Sequence, residues 1–209
     1  MTDGRRIADF WFDPSCPYTW VSSRWLVEVT RVRPVVVRWH VMSLAVLNEG
    51  LDIDPEDPEG EYAEWGDYLW RPVRVCAAVA REHGQAALGR LFTELGVRMH
   101  QRGEWDAIPG ALAEAGLPAG LAEAADSTAY DAAVRASHRE GIGLVGTDVG
   151  TPVLAVSRPG RGRAAIFGPV VAPAPRGEAA GRLWDGALLL VQEPAFYELR
   201  RGRPAEPPS

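Results

Sequence analysis

The amino-acid sequence predicts an α/β fold in which a helical segment interrupts a small β-sheet. Two observations at the ends of the chain predict it: residues 7–41 show a β-α-β pattern, and residues 153–191 show a β-hairpin followed by a helix. A third observation lies between them. Residues 62–145 contain no convincing strand and are rich in Ala and other helix-favouring residues.

The β-α-β pattern rests on three segments. Residues 7–12 are mostly apolar and predict a first strand, and apolar residues at helical spacing predict a helix over 20–30. The β-branched and aromatic run 35–41 predicts a second strand. Because β-α-β crossovers are right-handed, these two strands should be parallel.

The middle of the chain predicts several short helices. Residues 45–60 are rich in Asn, Glu, Asp, Gly and Pro, so they should form a loop that leaves the sheet. Ser127 or Thr128 is expected to cap the last helix, from Tyr130 to about Glu140. Breaks are expected at Gly84, Gly103, Pro109 and 116–118.

The end of the chain predicts an antiparallel hairpin, with strands at 153–157 and 164–167, and then a helix over about 176–191. This element order is typical of a thioredoxin-like fold. The insertion falls between the second strand and a Thr151-Pro152 loop. We therefore predict a thioredoxin-like domain formed by residues 1–44 and 146–209, and an all-helical insertion formed by residues 45–145.

The composition limits which partners and which cellular compartment we expect for the protein. The net charge is −6 over 209 residues, which gives no indication of a nucleic-acid partner. No segment has the roughly 20 apolar residues needed to span a bilayer, and no signal peptide is recognisable, so we expect a cytoplasmic protein without a membrane partner. The four histidines lack metal-ligand spacing, so no metal is expected.

Cys16 is the candidate nucleophile. It opens the stretch Cys16-Pro17-Tyr18-Thr19, where the first strand becomes the first helix. A free thiol with a pKa of about 8.5 is mostly protonated at pH 7, whereas a helix N-terminus stabilises the thiolate. The alternative is an inert buried thiol. For Cys76, in a predicted helix of the insertion, the options are a resolving thiol or core packing.

The Thr151-Pro152 pair is expected to face Cys16. It immediately precedes the third strand, which is the position of a cis-proline loop in this fold. An X-Pro bond can be cis at modest cost. Such a bond would direct the Thr151 N–H and carbonyl at an extended thiol substrate. The other candidate substrate-binding residues are Pro17, Tyr18, Trp20 and Asn48.

Several other residues have two interpretations. Trp11 and Trp25 should lie in the core, whereas Trp20, Trp65 and Trp70 could form an apolar wall for a planar substrate or simply pack. Further alternatives are proton relay or turn formation for Asp13, ligand binding or helix initiation for Arg176, and a weak pocket role for Tyr62. The G-x-G-x-x-G pattern at 141–146 follows a helix instead of preceding one, so we interpret it as a helix terminus.

The chain resembles a known family over almost its whole length. The matching stretches, in order, are 8–14, 16–17, 20, 23–25, 40–44, 47–49, 72–75, 148–152, 167–170 and 175–178. On these it is identified as a member of the DsbA-type, thioredoxin-like oxidoreductases, and within them of the mycothiol-dependent nitroreductases. The resemblance implies mycothiol as a small-molecule thiol co-substrate. From the tryptophans we expect a small aromatic substrate as the second partner.

The active-site stretch departs from the usual Cys-Pro-X-Cys pattern of that family, because Thr19 replaces the second cysteine. Threonine cannot attack a mixed disulfide, so an external thiol must resolve it. Thr19 could instead donate a hydrogen bond to the thiolate, or cap the helix. The alternative functions are a kappa-class thiol S-transferase or thiol-assisted isomerase, and a binding protein that has lost the resolving cysteine. The sequence leaves a homodimer open.

Overall fold

The computed structural model describes residues 5–49, 66–158 and 162–202. It confirms the mixed α/β class and the order of the predicted strands. The strands are β1 (Arg6–Phe12), β2 (Val35–Val41), β3 (Val153–Arg158) and β4 (Gly162–Phe167). The α-helices are α1 (Pro17–Val32), α2 (Leu44–Leu47), α3 (Gly66–Gly96), α4 (Ile108–Glu114), α5 (Asp131–Ile142) and α6 (Gly177–Gln192).

The sheet places β1 in its interior, in the strand order β2-β1-β3-β4. β1 pairs antiparallel with β3, with Phe10 opposite Leu154. β3 and β4 form the predicted antiparallel hairpin, with Val153 opposite Phe167. The last five residues of β1 are all buried. The strand that leads to Cys16 is therefore held on both edges and covered on both faces.

The chain divides into two compact units. The first, called here the sheet unit, comprises Met1–Phe12, Cys16–His40 and Gly141–Ser209. The second, called here the helical unit, comprises Asp13–Ser15 and Val41–Glu140. The three residues just before Cys16 thus group with the helices.

Within the helical unit, helices are interrupted, end or begin at glycine and proline residues where breaks are predicted. Gly84 interrupts α3 with a φ of +76°, and Gly116 follows α4 with a φ of +66°, values that glycine adopts without steric cost. Pro109 lies in the first turn of α4. A π-helical turn, Val97–Gln101, extends α3. The Ser127 hydroxyl accepts the Ala129 N–H at 3.3 Å and so begins the short 3-10 segment before α5.

Within the sheet unit, α1 and α6 pack through a tryptophan pair. Trp25 and Trp184 lie with ring centroids 6.3 Å apart, and the Trp25 indole N–H donates to the Ala180 carbonyl at 3.1 Å. Trp11 and Trp25 are both fully buried, which confirms their predicted core positions. At the end of α1, Arg33 is paired with Glu178 and Asp185 of α6.

Two further findings concern the described helices. None of the described helices is both long enough and apolar enough to cross a membrane. The glycine pattern at 141–146 contains the end of α5 at Ile142, and Gly146 follows with a φ of +104°. This confirms the interpretation of the pattern as a helix terminus.

Gly141 is needed because the Trp11 ring lies against it. A Cβ at Gly141 would lie 2.7 Å from the Trp11 Cδ1, and the Trp11 side chain is fully buried and unable to move away cheaply. We expect Gly141→Ala to lower the free energy of unfolding by about 1–3 kcal/mol in urea denaturation. Gly186→Ala is the matched control, since a Cβ there meets no atom within 4 Å. It should raise stability by about 0.5–1 kcal/mol. Equal effects of the two substitutions would contradict this account.

Candidate active site

Cys16 lies at the N-cap of α1, and its sulfur accepts a backbone hydrogen bond. The Cys16 backbone is extended, Pro17 occupies the first turn of α1, and the Thr19 N–H donates to Sγ at 3.5 Å. Proline is favoured there because its missing N–H would have no helical partner. Cys16 is buried, with 6% of the residue exposed. An unpaired helix amide directed at sulfur favours the thiolate over the thiol.

Thr19 and Thr151 meet through their hydroxyl groups. The Thr151-Pro152 peptide bond is cis. Thr19 Oγ1 and Thr151 Oγ1 are 3.1 Å apart, and Thr151 Oγ1 donates to the Trp11 carbonyl at 3.5 Å. Either threonine hydroxyl can be the donor between the two. The hydrogen bond from Thr19 to the Cys16 sulfur is donated by its main-chain N–H.

The main chain of Thr151 is available for pairing. The neighbouring Pro152 carbonyl accepts the Gly168 N–H at 2.8 Å. Within the described part of the chain, the N–H and carbonyl of Thr151 form no such backbone bond. An extended substrate could use these two groups in the way a peptide adds to a sheet edge.

The other predicted substrate-binding residues have different surroundings. Pro17 and Tyr18 are half-buried at the start of α1. Trp20 is 1% exposed and lies under the Arg24 guanidinium at 4.2 Å, which favours packing over a substrate wall. Asn48 lies in the helical unit, where its N–H ends α2 on the Leu44 carbonyl at 2.9 Å.

The chain matches one protein-family model from residue 15 to residue 201, and the description of that model is "Rv2466c-like: Mycothiol-dependent nitroreductase Rv2466c". The protein belongs to this family. The match begins at Ser15, immediately before Cys16, and includes Thr151 and Pro152. Family and fold together support a thiol–disulfide oxidoreductase with a small thiol as co-substrate.

The chain is also similar to individual proteins and solved structures. The uncharacterized protein Rv2286c of Mycobacterium tuberculosis is 30% identical over 199 residues, which covers 92% of this chain and 80% of the relative. Among solved structures, the cytosolic disulfide reductase DsbM from Pseudomonas aeruginosa has a TM-score of 0.56 at 20% identity, covering 88% of this chain and 99% of that chain. The probable DsbA oxidoreductase SCO1869 from Streptomyces coelicolor has a TM-score of 0.54 at 19% identity, covering 97% of each chain. These similarities establish the DsbA-type, thioredoxin-like fold.

The second cysteine, Cys76, does not have the surroundings of a reactive thiol. Cys76 is fully buried in α3, and burial, together with the nearby Asp13 carboxyl, raises the pKa of its thiol. A thiol that stays protonated is a poor nucleophile. These observations favour the packing role of Cys76 over a resolving role.

The predicted aromatic wall is only partly described. Tyr62 and Trp65 lie outside the described residues. Trp70 has the guanidinium groups of Arg74 and Arg135 over its ring, at 5.1 and 5.0 Å. Its surroundings are therefore those of a packed cation–π pair. Arg176 is the N-cap residue of α6, which favours helix initiation over ligand binding.

The histidines have individual partners. His40 Nε2 lies 2.8 Å from Asp9 Oδ1, and the His138 Nδ1 accepts the Ser43 N–H at 3.4 Å. Among the described residues, no group of three or more His, Cys, Asp or Glu could hold a metal ion. His100 Nε2 lies 2.7 Å from the Pro14 carbonyl oxygen. Sequence reasoning missed this contact, because a lone histidine in a helical region carries no spacing signal.

Asp13 holds the turn before Cys16. Its carboxylate accepts the Ser15 N–H and the Leu44 N–H, both at 2.7 Å, and the residue is fully buried. Burial raises the pKa of Asp13 to about 6, and these two amide hydrogen bonds oppose the rise. The contacts support turn formation, the second of the two predicted roles.

The raised pKa of Asp13 predicts a pH-dependent stability. The folded value of about 6 exceeds the ordinary value of 3.8, so the folded chain binds this proton more tightly than the unfolded chain does. The resulting stabilisation is complete below the ordinary pKa and is lost as the pH rises through the folded pKa. The free energy of unfolding of the wild type, relative to Asp13→Asn, should fall by about 2–3 kcal/mol between about pH 4 and pH 7. Urea denaturation across that range measures it, and parallel pH profiles for the two proteins would contradict the expectation.

Proposed function

We propose that the protein is a mycothiol-dependent thiol oxidoreductase in which Cys16 forms a mixed disulfide. The observation that carries the proposal is the Thr19 N–H donating to the Cys16 sulfur at the N-cap of α1. This bond and the helix dipole stabilise negative charge on sulfur, which lowers the thiol pKa and raises the thiolate fraction at neutral pH. The backbone of Thr151, preceding Pro152, positions the thiol-bearing partner.

The reaction uses one protein thiol. The Cys16 thiolate attacks the sulfur of a disulfide between a substrate and mycothiol, forms a protein–mycothiol disulfide and releases the substrate thiolate. A second mycothiol thiolate then attacks that mixed disulfide, regenerates the Cys16 thiolate and leaves as mycothiol disulfide. The net result is release of the substrate as a thiol and oxidation of one free mycothiol, which forms mycothiol disulfide with the mycothiol unit taken from the substrate. The packing and protonation of Cys76 are consistent with an external resolving thiol.

A small aromatic nitro compound is the second substrate class within this proposal. Reduction of a nitro group to a nitroso group takes two electrons and two protons, which two mycothiol molecules supply as they form one disulfide and water is released. In the first step the nitro group would oxidise Cys16 and one mycothiol to their mixed disulfide, and in the second step the other mycothiol would release mycothiol disulfide and restore the Cys16 thiolate. The half-buried Pro17 and Tyr18 then lie beside the reacting sulfur in sequence and could contact the ring.

The expected compartment and partners follow from the same thiol chemistry. A mycothiol-dependent reductase needs a reducing compartment, so we place the protein in the cytoplasm, without nucleic-acid or membrane partners and without a metal. The thioredoxin-like domain, residues 1–44 and 146–209, would carry the reacting thiol. The insertion, residues 45–145, would contribute Asn48 to substrate binding. A homodimer is compatible with this scheme.

Replacing each cysteine in turn tests the nucleophile. Cys16→Ser should abolish mycothiol-dependent reduction of a mixed-disulfide substrate, because serine forms no disulfide. Cys76→Ala is the matched control and should retain turnover, since it removes a fully buried thiol whose pKa is raised. Intact-mass analysis of protein isolated without reductant should show a mycothiol adduct that Cys16→Ser lacks. Unchanged turnover in Cys16→Ser would end the proposal.

Restoring a second thiol tests the single-thiol mechanism. In Thr19→Cys, the introduced thiolate should displace mycothiol from Cys16 and form an internal disulfide. Intact mass after treatment with mycothiol disulfide should then show the loss of two hydrogens in this variant and a stable adduct in the wild type. Thr19→Ser controls for loss of the threonine methyl group and should keep the adduct. A stable adduct on Thr19→Cys as well would show that position 19 cannot resolve Cys16.

One observation also favours a second candidate function. With Cys76 buried, the described site offers a single thiol, and a kappa-class S-transferase or thiol-assisted isomerase uses a bound thiol without net redox change. Formation of mycothiol disulfide distinguishes them: the oxidoreductase produces it in proportion to turnover, whereas a transferase or isomerase does not. A ligand-binding protein that has lost its resolving cysteine would bind the aromatic compound and show neither activity.

A further inference from the structure

The turn that precedes Cys16 belongs to the helical unit. Residues Asp13–Ser15 connect the end of β1 to Cys16, yet they group with the helices, while both neighbours in sequence group with the sheet. The turn also makes hydrogen bonds to other residues of the helical unit. Asp13 accepts the Leu44 N–H, and the Pro14 carbonyl lies 2.7 Å from His100 Nε2.

The Pro14 carbonyl needs a donor from another part of the chain. Pro14 is buried, and a buried carbonyl without a hydrogen bond is costly. Pro14 and Pro17 both lack an N–H, so the turn has few donors of its own. His100 supplies one from 86 positions further along the chain.

His100 is placed for this contact by a local irregularity. It lies in the π-helical turn Val97–Gln101, a type of distortion often found at functional sites. Trp105 lies edge-on to its ring, with centroids 6.2 Å apart and an interplanar angle of 87°. The indole of Trp105 in turn meets the Tyr68 ring edge-on. The edge-on contact with Trp105 thereby limits the orientations that the imidazole ring can adopt.

The protonation state of His100 is determined by its surroundings. Burial lowers the pKa of His100, and the hydrogen bond to the Pro14 carbonyl opposes this change. At neutral pH the ring is therefore uncharged. Because a carbonyl oxygen only accepts, Nε2 carries the proton in this tautomer.

We propose that His100 is a positioning residue for Cys16, acting through its Nε2–H bond to the Pro14 carbonyl. This inference rests on the proposed function. The bond holds the strand-to-helix turn in the conformation that begins α1 at Pro17 and places the Cys16 sulfur at the Thr19 N–H. Without it, the turn visits other conformations, the sulfur loses its amide donor for part of the time, and the thiolate fraction falls.

The test compares His100→Leu, which removes the donor, with His100→Gln, whose side-chain amide can still donate. The readout is the pH profile of the rate of Cys16 alkylation by iodoacetamide in a Cys76→Ala background, with thiolate absorbance followed over the same pH range. We expect the midpoint of the profile to rise by about one pH unit in His100→Leu, so that alkylation at a pH below the wild-type midpoint is about tenfold slower. His100→Gln should stay within about threefold of wild type, and the exposed His83→Leu should match it.

The outcomes separate the two proposals. Alkylation needs no substrate, so slowed alkylation of His100→Leu supports positioning even where the protein shows no mycothiol turnover, a result that would count against the proposed function alone. Equal alkylation rates for His100→Leu and wild type, in a protein that does turn over, overturn the positioning role. If His100→Leu fails to fold, imidazole ¹⁵N NMR of the wild type decides: a proton on Nε2 supports the inference and a proton on Nδ1 overturns it.

Discussion

The hydrogen bond from the Thr19 N–H to the Cys16 sulfur depends on the exact residue at which α1 begins, and the rest of the site depends on that bond. An α-helix turns about 100° per residue. A start one residue earlier or later would direct the free amides of the first turn away from the sulfur. The helix would still form and pack, but Cys16 would be an ordinary buried thiol.

Three parts of the chain determine this helix start. β1 is buried and paired with β3, so the end of β1 at Phe12 has little freedom. Pro17 favours the first helical turn through its restricted φ. Between them, the turn 13–15 is held by polar contacts to α2 and to the π-helical turn that contains His100. The helical unit therefore contains both partners of the hydrogen bonds that hold the segment leading into Cys16.

The threonine at position 19 gives the site a different chemistry from a dithiol. Its main chain donates to sulfur, and its hydroxyl joins Thr151, whose own hydroxyl is directed at the Trp11 carbonyl. This chain of contacts connects α1, the loop before β3 and the end of β1. A cysteine at position 19 would lose the hydroxyl contact with Thr151 and would supply a thiol able to attack a mixed disulfide on Cys16. The threonine therefore both removes this internal attack and adds the contact with Thr151.

Much of the fold and part of the site could be predicted from the sequence, because their signals are local. Strand and helix periodicity, the breaks at Gly84 and Gly116, the hairpin and the Cys16-Pro17 helix start each depend on residues close together in the chain. The contacts that tertiary structure alone decided join distant residues: Thr19 with Thr151 and His100 with Pro14 are 132 and 86 positions apart. Trp20 and Trp70 show the same limit, since an aromatic residue at helical spacing suits a core and a binding wall equally well. Only the folded chain brings the groups that choose between such roles within contact distance.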